Sequence, residues 1–258
     1  MTVLTPELLE RIRSRAAGYD RDNTFFTEDL AELREAGYLA PRSLLETARD
    51  QRLLAAYAPA TALGINMHHV WVGVARVLHD RGDASLDWVL ADASAGELFA
   101  FGNSEQGNDL VLWDSTTLAE PVDAGYRFTG TKIFTSLAPA WTRLGIFGRN
   151  GEHLVHGFIT RETPGWRTIE DWDTLGMRAT QSHTTALEGA LVPTDRVARI
   201  LPVGPNADPF IFGIFANFLL LIGSVYAAPP PSFQAGVHLS GPQAAARQPP
   251  RHGTSVDV

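Results

Sequence analysis

The feature that most constrains this chain is a change of hydrophobic period near residue 97. Before it, apolar side chains recur at three- and four-residue spacing, the mark of helices with one buried face. After it, to about residue 203, they come as short runs cut by Gly, Pro, Asn and Asp, the pattern of short strands joined by turns. Helices first and strands second predict an α+β fold: an N-terminal helical domain over 1–96, then a β-barrel-like domain over 97–203.

Within the first region, Thr5-Pro6-Glu7 is a helix start, with a capping residue followed by proline in the first turn. Leu8, Leu9, Ile12 and Ala16 then share one face. Thr27 is read as the cap of a second helix that stops at Gly37, a third runs over about 44–57, a fourth over 59–79 and a short fifth over 85–93. A run over 210–228 is almost wholly apolar, broken by Asn217 and Ser224. It approaches the length of a membrane span, but without flanking basic clusters or an aromatic belt it reads as a helix buried on all sides. Residues 204–227 are therefore taken as one helix buried inside a bundle. From 228 to 258 the composition turns to Pro, Gln, Gly, Arg and Ala without periodicity. That stretch reads as a disordered tail with the look of out-of-frame translation, as if the bundle were cut short.

Composition excludes several functions. With 258 residues, 45% hydrophobic and 19% charged, the chain has the make-up of a globular protein. A net charge of −8 argues against broad attraction to nucleic acid or anionic membrane. Absence of cysteine removes disulfides, thiolate metal sites and a cysteine nucleophile. No signal peptide is evident, and a cytoplasmic location is expected. Lys132 is the one lysine; arginine supplies the other fixed positive charges. His68 and His69, adjacent on a helix, point to different faces and make a poor metal pair. His153 and His156 fall in a turn-strand region and read as surface residues. No metal site is expected.

Three segments carry chemistry. In the first, Phe101, Gly102, Asn103 and Ser104 lead from a strand into a polar loop through Glu105, Gly107 and Asn108, where backbone N–H groups and a hydroxyl could meet a ligand. In the second, 130–136, Phe134 stands beside Thr135 and Ser136. An aromatic ring stacks on planar ligands and hydroxyls bond ring heteroatoms. In the third, 175–182, Arg178 could bind an anion or make a local ion pair. Taken singly, each also reads as an ordinary turn or a half-buried strand.

In this order and spacing the segments resemble the acyl-CoA dehydrogenase family over about residues 5–227, most specifically over 97–193. The resemblance implies a flavin-binding middle domain that holds FAD. Ser104 takes the hydroxyl position of the first flavin loop, preceded by Phe101, Gly102 and Asn103. Phe134 takes a tryptophan position at the other edge of the ring, followed by Thr135 and Ser136, and Asn108 takes a polar position near the pyrophosphate or thioester. It further implies α,β-dehydrogenation of an acyl-CoA or related thioester in fatty acid metabolism. Electrons would pass to an acceptor like electron-transfer flavoprotein, and intact relatives would be homo-oligomers. Glu105 is followed by Gln106 where the family has proline, and a glycine-rich loop expected after the second helix is replaced by Gly37 through Leu44. The catalytic glutamate of most members lies beyond the resemblance, so no catalytic residue is assigned; Glu105 and Glu188 are the carboxylates nearest the motifs. A flavin-dependent monooxygenase of the same fold and a non-catalytic flavin-binding remnant remain open beside the dehydrogenase.

Overall fold

A computed structural model describes residues 2–109 and 111–228. The tail expected beyond 228 lies outside the described residues. Five helices come first: α1 (Pro6–Asp22), α2 (Thr27–Glu35), α3 (Leu44–Ala55), α4 (Pro59–His79) and α5 (Asp87–Ser94). Eight strands follow: β1 (Phe99–Gly102), β2 (Leu118–Val122), β3 (Gly125–Lys132), β4 (Arg143–Asn150), β5 (His153–Thr160), β6 (Trp166–Ile169), β7 (Thr184–Pro193) and β8 (Val197–Pro202). Helix α6 (Pro209–Tyr226) comes last. The strands form one mixed sheet in the order β6-β7-β3-β2-β4-β5-β8, and β1 joins β4 in parallel as a branch.

Local chemistry explains the helix ends. The Thr5 hydroxyl accepts from the Leu8 amide at 3.2 Å, with Pro6 in the first turn. Ser43 and Glu46 form a capping box at the start of α3. Gly37 adopts a left-handed backbone after α2, and the Tyr38 amide reaches back to the Leu33 carbonyl at 2.9 Å, closing the helix as a Schellman motif. The start of α2 differs from the expected one. Phe26 holds the cap position without a side-chain bond, and Thr27 is already helical. Core packing decides this, because Phe26 is fully buried against α4, where a Cβ on Gly64 would lie 2.7 Å from its ring. The expected fifth helix divides into a 3-10 turn at Ala84–Leu86 and α5.

Helix α4 is the central strut between helices and sheet. Trp71 on α4 is buried and donates its indole N–H to the Ala100 carbonyl of β1 at 2.9 Å. Its ring lies over β4 at Gly145, where any Cβ would come within 2.3 Å of it, so only glycine allows this approach. Helix α6 packs on α4 and α3. It is long and apolar enough to cross a membrane by length and composition alone. It is not buried on all sides: Phe210, Ile211, Ile214, Leu221 and Val225 face inward, while Phe212, Leu219, Leu220 and Tyr226 are exposed. Helices α3 and α4, with Phe101, Trp113 and His156 meeting its phenylalanines, leave its opposite face uncovered.

His156 also departs from expectation. It is buried, not at the surface, and its ring stacks on Phe147 with centroids 5.0 Å apart. Neither ring nitrogen has a hydrogen-bond partner among the described residues. Its β5 position faces the inner side of the sheet, which the turn nearby conceals in the sequence. His68 is buried too, fixed by the Leu39 carbonyl at 2.8 Å and the Phe99 amide at 3.2 Å, and His69 beside it is buried. Among the described residues no group of His, Asp and Glu is placed to hold a metal.

Burial pushes the pKa of His68 down to about 4 and that of His156 down to about 3, and holds His69 well below its usual value. Below pH ~6.5 the unfolded chain takes up protons on these rings while the native chain does not. Stability present at neutral pH is therefore lost on acidification, at about 1.4 kcal/mol per pH unit for each ring. Thermal denaturation across pH 7 to 5 should show a falling midpoint. His156→Phe should flatten that slope by about one proton without lowering stability at pH 7, since it removes two unsatisfied nitrogens. An unchanged slope would contradict this account.

Candidate functional site

Two of the sequence motifs meet as neighbours. Ser104, just after β1, forms an isolated antiparallel bridge with Ile133, just after β3, and the Ile133 amide donates to the Ser104 carbonyl at 2.9 Å. Directly beyond the bridge on each strand sit the two members of a buried ion pair, Glu105 and Lys132, with Nζ 2.5 Å from Oε1 and both side chains fully inaccessible. The Glu105 carboxylate accepts further bonds from the hydroxyls of Ser115 and Thr117, the amides of Thr116 and Thr117, and the Asn108 side chain. Lys132 also lies 4.2 Å over the Phe147 ring. Burial alone would raise the Glu105 pKa, but the Lys132 charge and these donors hold it far below the carboxylate range. Burial lowers Lys132 to about 8 against the pull of Glu105. At neutral pH both carry charge.

Above this pair lies a cleft of about 460 Å³, of ordinary ligand-pocket size. Leu63 and Met67 of α4 and Phe218, Ile222 and Tyr226 of α6 form one wall. Phe101, Ser104, Phe134, Ser136, Trp172, Thr174, Gly176, Met177, Thr180 and Ser182 form the other. Phe134 and Trp172 meet edge to face at 6.1 Å. Below them three hydroxyls run in a row: Ser136 to Ser182 at 2.7 Å, Ser182 to Thr180 at 2.7 Å, and Thr180 to the Met177 carbonyl at 2.9 Å. Among the described residues, four of the six non-glycine positions with left-handed backbone fall in these segments: Phe134, Leu137, Met177 and Gln181. Such strain persists only where the surroundings fix it, and it concentrates at binding sites.

Trp172 is held from behind. The Asp171 and Trp172 amides both donate to His183 Nδ1 at 3.1 Å, so that nitrogen is an acceptor and the ring proton sits on Nε2, facing Gln181 at 2.8 Å. Gln181 in turn donates to Asn23 at the end of α1. A larger, more polar cleft of about 560 Å³ opens on this side, but the charges of Arg178 and Asp173 there are spent on each other at 2.5 Å. Arg178 thus makes the local ion pair.

Of the expected site residues, Phe101, Ser104, Phe134 and Ser136 line the smaller cleft. Gly102 ends β1. Asn103 is buried, and neither its Oδ1 nor its Nδ2 has a hydrogen-bond partner among the described residues. Thr135 is buried beside the cleft and accepts from the Thr185 hydroxyl at 3.1 Å. Asn108 bonds to Glu105 and to the Asp114 carbonyl, each at 2.8 Å. Glu105 is a structural hub, and Glu188 is exposed and paired with Arg167. Sequence reasoning missed Trp172; Lys132, Thr180 and Ser182 fall within the segments 130–136 and 175–182 that it singled out but were given no role of their own, and a lone lysine in an arginine-rich chain was the available signal for Lys132.

No protein-family model matches the chain. An amino sugar nitrososynthase of Streptomyces peucetius is 25% identical over 252 residues, covering 84% of this chain and 58% of that protein. A putative acyl-CoA dehydrogenase of Bacillus subtilis is 23% identical over 232 residues, covering 82% and 60%. The FMN-bound structure of the dibenzothiophene monooxygenase TdsC of Paenibacillus sp. A11-2 superposes with a TM-score of 0.69 at 20% identity, covering 85% of this chain and 59% of that one. The chain is an acyl-CoA dehydrogenase-fold protein. It spans little more than half the length of the curated relatives it matches.

In this acyl-CoA dehydrogenase-fold chain the ion pair should dominate local stability. Lys132→Met strands a buried carboxylate and should cost about 3–5 kcal/mol in chemical denaturation. Pairing it with Glu105→Gln should cost less than the sum of the two single changes. Additive costs would show that the pair is not coupled.

Proposed function

We propose that this chain forms the flavin-binding part of a flavin-dependent oxidoreductase, with monooxygenase-type chemistry and thioester dehydrogenation as the two readings of its reaction. The observation that carries the reading is the cleft itself: aromatic Phe134 and Trp172 line it together with a row of hydroxyls from Ser136 through Ser182 to Thr180. Planar rings prefer aromatic neighbours, and hydroxyls can bond the polar edge of such a ring. A flavin offers both a flat ring and a polar rim. When bound, it supplies the two-electron and oxygen chemistry; the protein positions it.

The cleft lining contains no carboxylate and no imidazole among the described residues. These residues bind and orient a ring and do not take protons from carbon. A dehydrogenase of this fold needs a positioned base to remove an α-proton, and the resemblance puts that base outside these residues, so the lining does not by itself separate the two chemistries. The similarity to a nitrososynthase and to an FMN-bound monooxygenase supports the oxygenase reading, and the similarity to a putative acyl-CoA dehydrogenase supports the dehydrogenase alternative as much. The family resemblance implies FAD, whereas the superposed monooxygenase carries FMN, and we favour FMN. An acyl thioester, an electron-transfer partner and homo-oligomer formation stay attached to the dehydrogenase alternative.

Titrating FMN and FAD into the purified chain, followed by flavin fluorescence and visible absorption, checks the proposal. Saturable binding weakened at least tenfold by Ser136→Ala or Trp172→Ala supports it, with FMN the tighter ligand. Binding of neither flavin would contradict it. Bleaching of bound flavin by an acyl-CoA thioester under anaerobic conditions would decide for the dehydrogenase reading.

A further inference from the structure

The polar cleft behind Trp172 contains a guanidinium that the fold braces but does not pair. Arg161 follows β5 and lines that cleft. Its Nη1 donates to the Ala138 carbonyl at 2.9 Å and to the Trp141 carbonyl at 3.1 Å. Its Cζ lies 4.9 Å from the Trp141 ring centre and 5.4 Å from that of Trp166, and the Trp166 indole donates to the Arg161 carbonyl at 3.2 Å. Nε and Nη2 have no partner among the described residues. These two nitrogens carry the parallel donors that meet a carboxylate bidentately. Burial pulls the Arg161 pKa below its ordinary value, and only the charge of Glu162 opposes this. A cation braced by backbone and two rings loses little side-chain freedom when an anion docks on it.

The rest of the lining selects among anions. Glu170, Asp171 and Asp173 stand against Arg161 and Arg178, so carboxylates outnumber cations there. Asp173 is engaged by Arg178. Asp171 accepts from the Thr184 amide at 2.9 Å and from its hydroxyl at 2.6 Å. Glu170 is exposed and has no partner among the described residues. Arg161 lies over Trp166 at the start of β6, and Glu170 follows the end of that strand. Four residues of extended chain between Trp166 and Glu170 cover about 13 Å. We infer that this cleft binds a small carboxylate that carries an ammonium group several carbons away, the carboxylate meeting Arg161 and the ammonium meeting Glu170. The three carboxylates oppose a phosphate dianion, and an α-amino acid backbone is too short to reach both ends. This site does not rest on the flavin reading: among the described residues Trp172 alone lines both clefts.

Isothermal titration calorimetry of the full chain with 6-aminohexanoate, hexanoate, hexylamine and inorganic phosphate tests the site. 6-Aminohexanoate should bind saturably and about tenfold tighter than hexanoate, the effect of one added charge-assisted contact. Hexylamine and phosphate should bind more weakly than either. Arg161→Lys keeps the charge but loses the two parallel donors, and should weaken 6-aminohexanoate and hexanoate alike by about tenfold. Glu170→Gln alters an exposed, unpaired side chain and leaves the fold intact. It should remove the advantage of 6-aminohexanoate while hexanoate binds as before. No saturable binding of 6-aminohexanoate to the wild type overturns the inference. So does phosphate or hexylamine binding as tightly as 6-aminohexanoate, or an undiminished preference for 6-aminohexanoate in Glu170→Gln. Should Arg161→Lys fail to fold, Glu170→Gln still decides. None of these results bears on flavin, whose binding a separate FMN titration reads by itself.

Discussion

The cleft depends on one dry contact, the ion pair between Glu105 and Lys132. Removing two charges from water costs several kcal/mol for each ion, and only a satisfied network repays that cost. Here the carboxylate is met by an ammonium, two hydroxyls, two amides and a side-chain amide. That density of donors explains why the pair is tolerated in a low-dielectric interior. Its geometric effect matters as much. Glu105 follows Ser104 and Lys132 precedes Ile133, so the pair clamps the two ends of the bridge between them. Two chain segments that are distant in sequence then present Ser104 on one side and Phe134 and Ser136 on the other to a shared space.

The rest of the architecture closes that space. Helix α4 is held to the sheet by Trp71 over Gly145 and by the indole bond to Ala100. Its earlier turns carry Leu63 and Met67 to the cleft wall, and α6 packs alongside to add Phe218, Ile222 and Tyr226. On the opposite wall, His183 fixes the backbone of Asp171 and Trp172, and Gln181 ties that segment to the end of α1. Alternate residues from 180 to 183 face opposite sides, so Thr180 and Ser182 reach the cleft while Gln181 and His183 brace it.

Much of this was legible in the sequence, for identifiable reasons. The period change near residue 97 separates the helices from the sheet, and the caps at Thr5 and Ser43 and the stop at Gly37 act through local backbone chemistry that any window reveals. Phe101, Ser104, Phe134 and Ser136 line the cleft because strand ends and polar loops are where ligands reach backbone and side chains. What was hidden depends on tertiary contacts. Burial of His156 follows from which side of β5 faces Phe147, and the role of Lys132 appears only when β3 meets the loop after β1. Trp172 and the Thr180–Ser182 pair are placed by left-handed turns at Met177 and Gln181 that periodicity does not encode. Helix α6 misled because composition alone cannot say how many sides of an apolar helix its neighbours cover.

Hydrogen exchange at the Ile133 amide tests the clamp most directly, because that amide makes the bridge to Ser104. The account predicts protection comparable to the central strands in the wild-type chain. In Lys132→Met it predicts selective loss at Ile133 while amides of β4 and β5 stay protected. If the Ile133 amide stays as protected in that variant as the paired strands, the ion pair does not hold the cleft together and its central role is wrong.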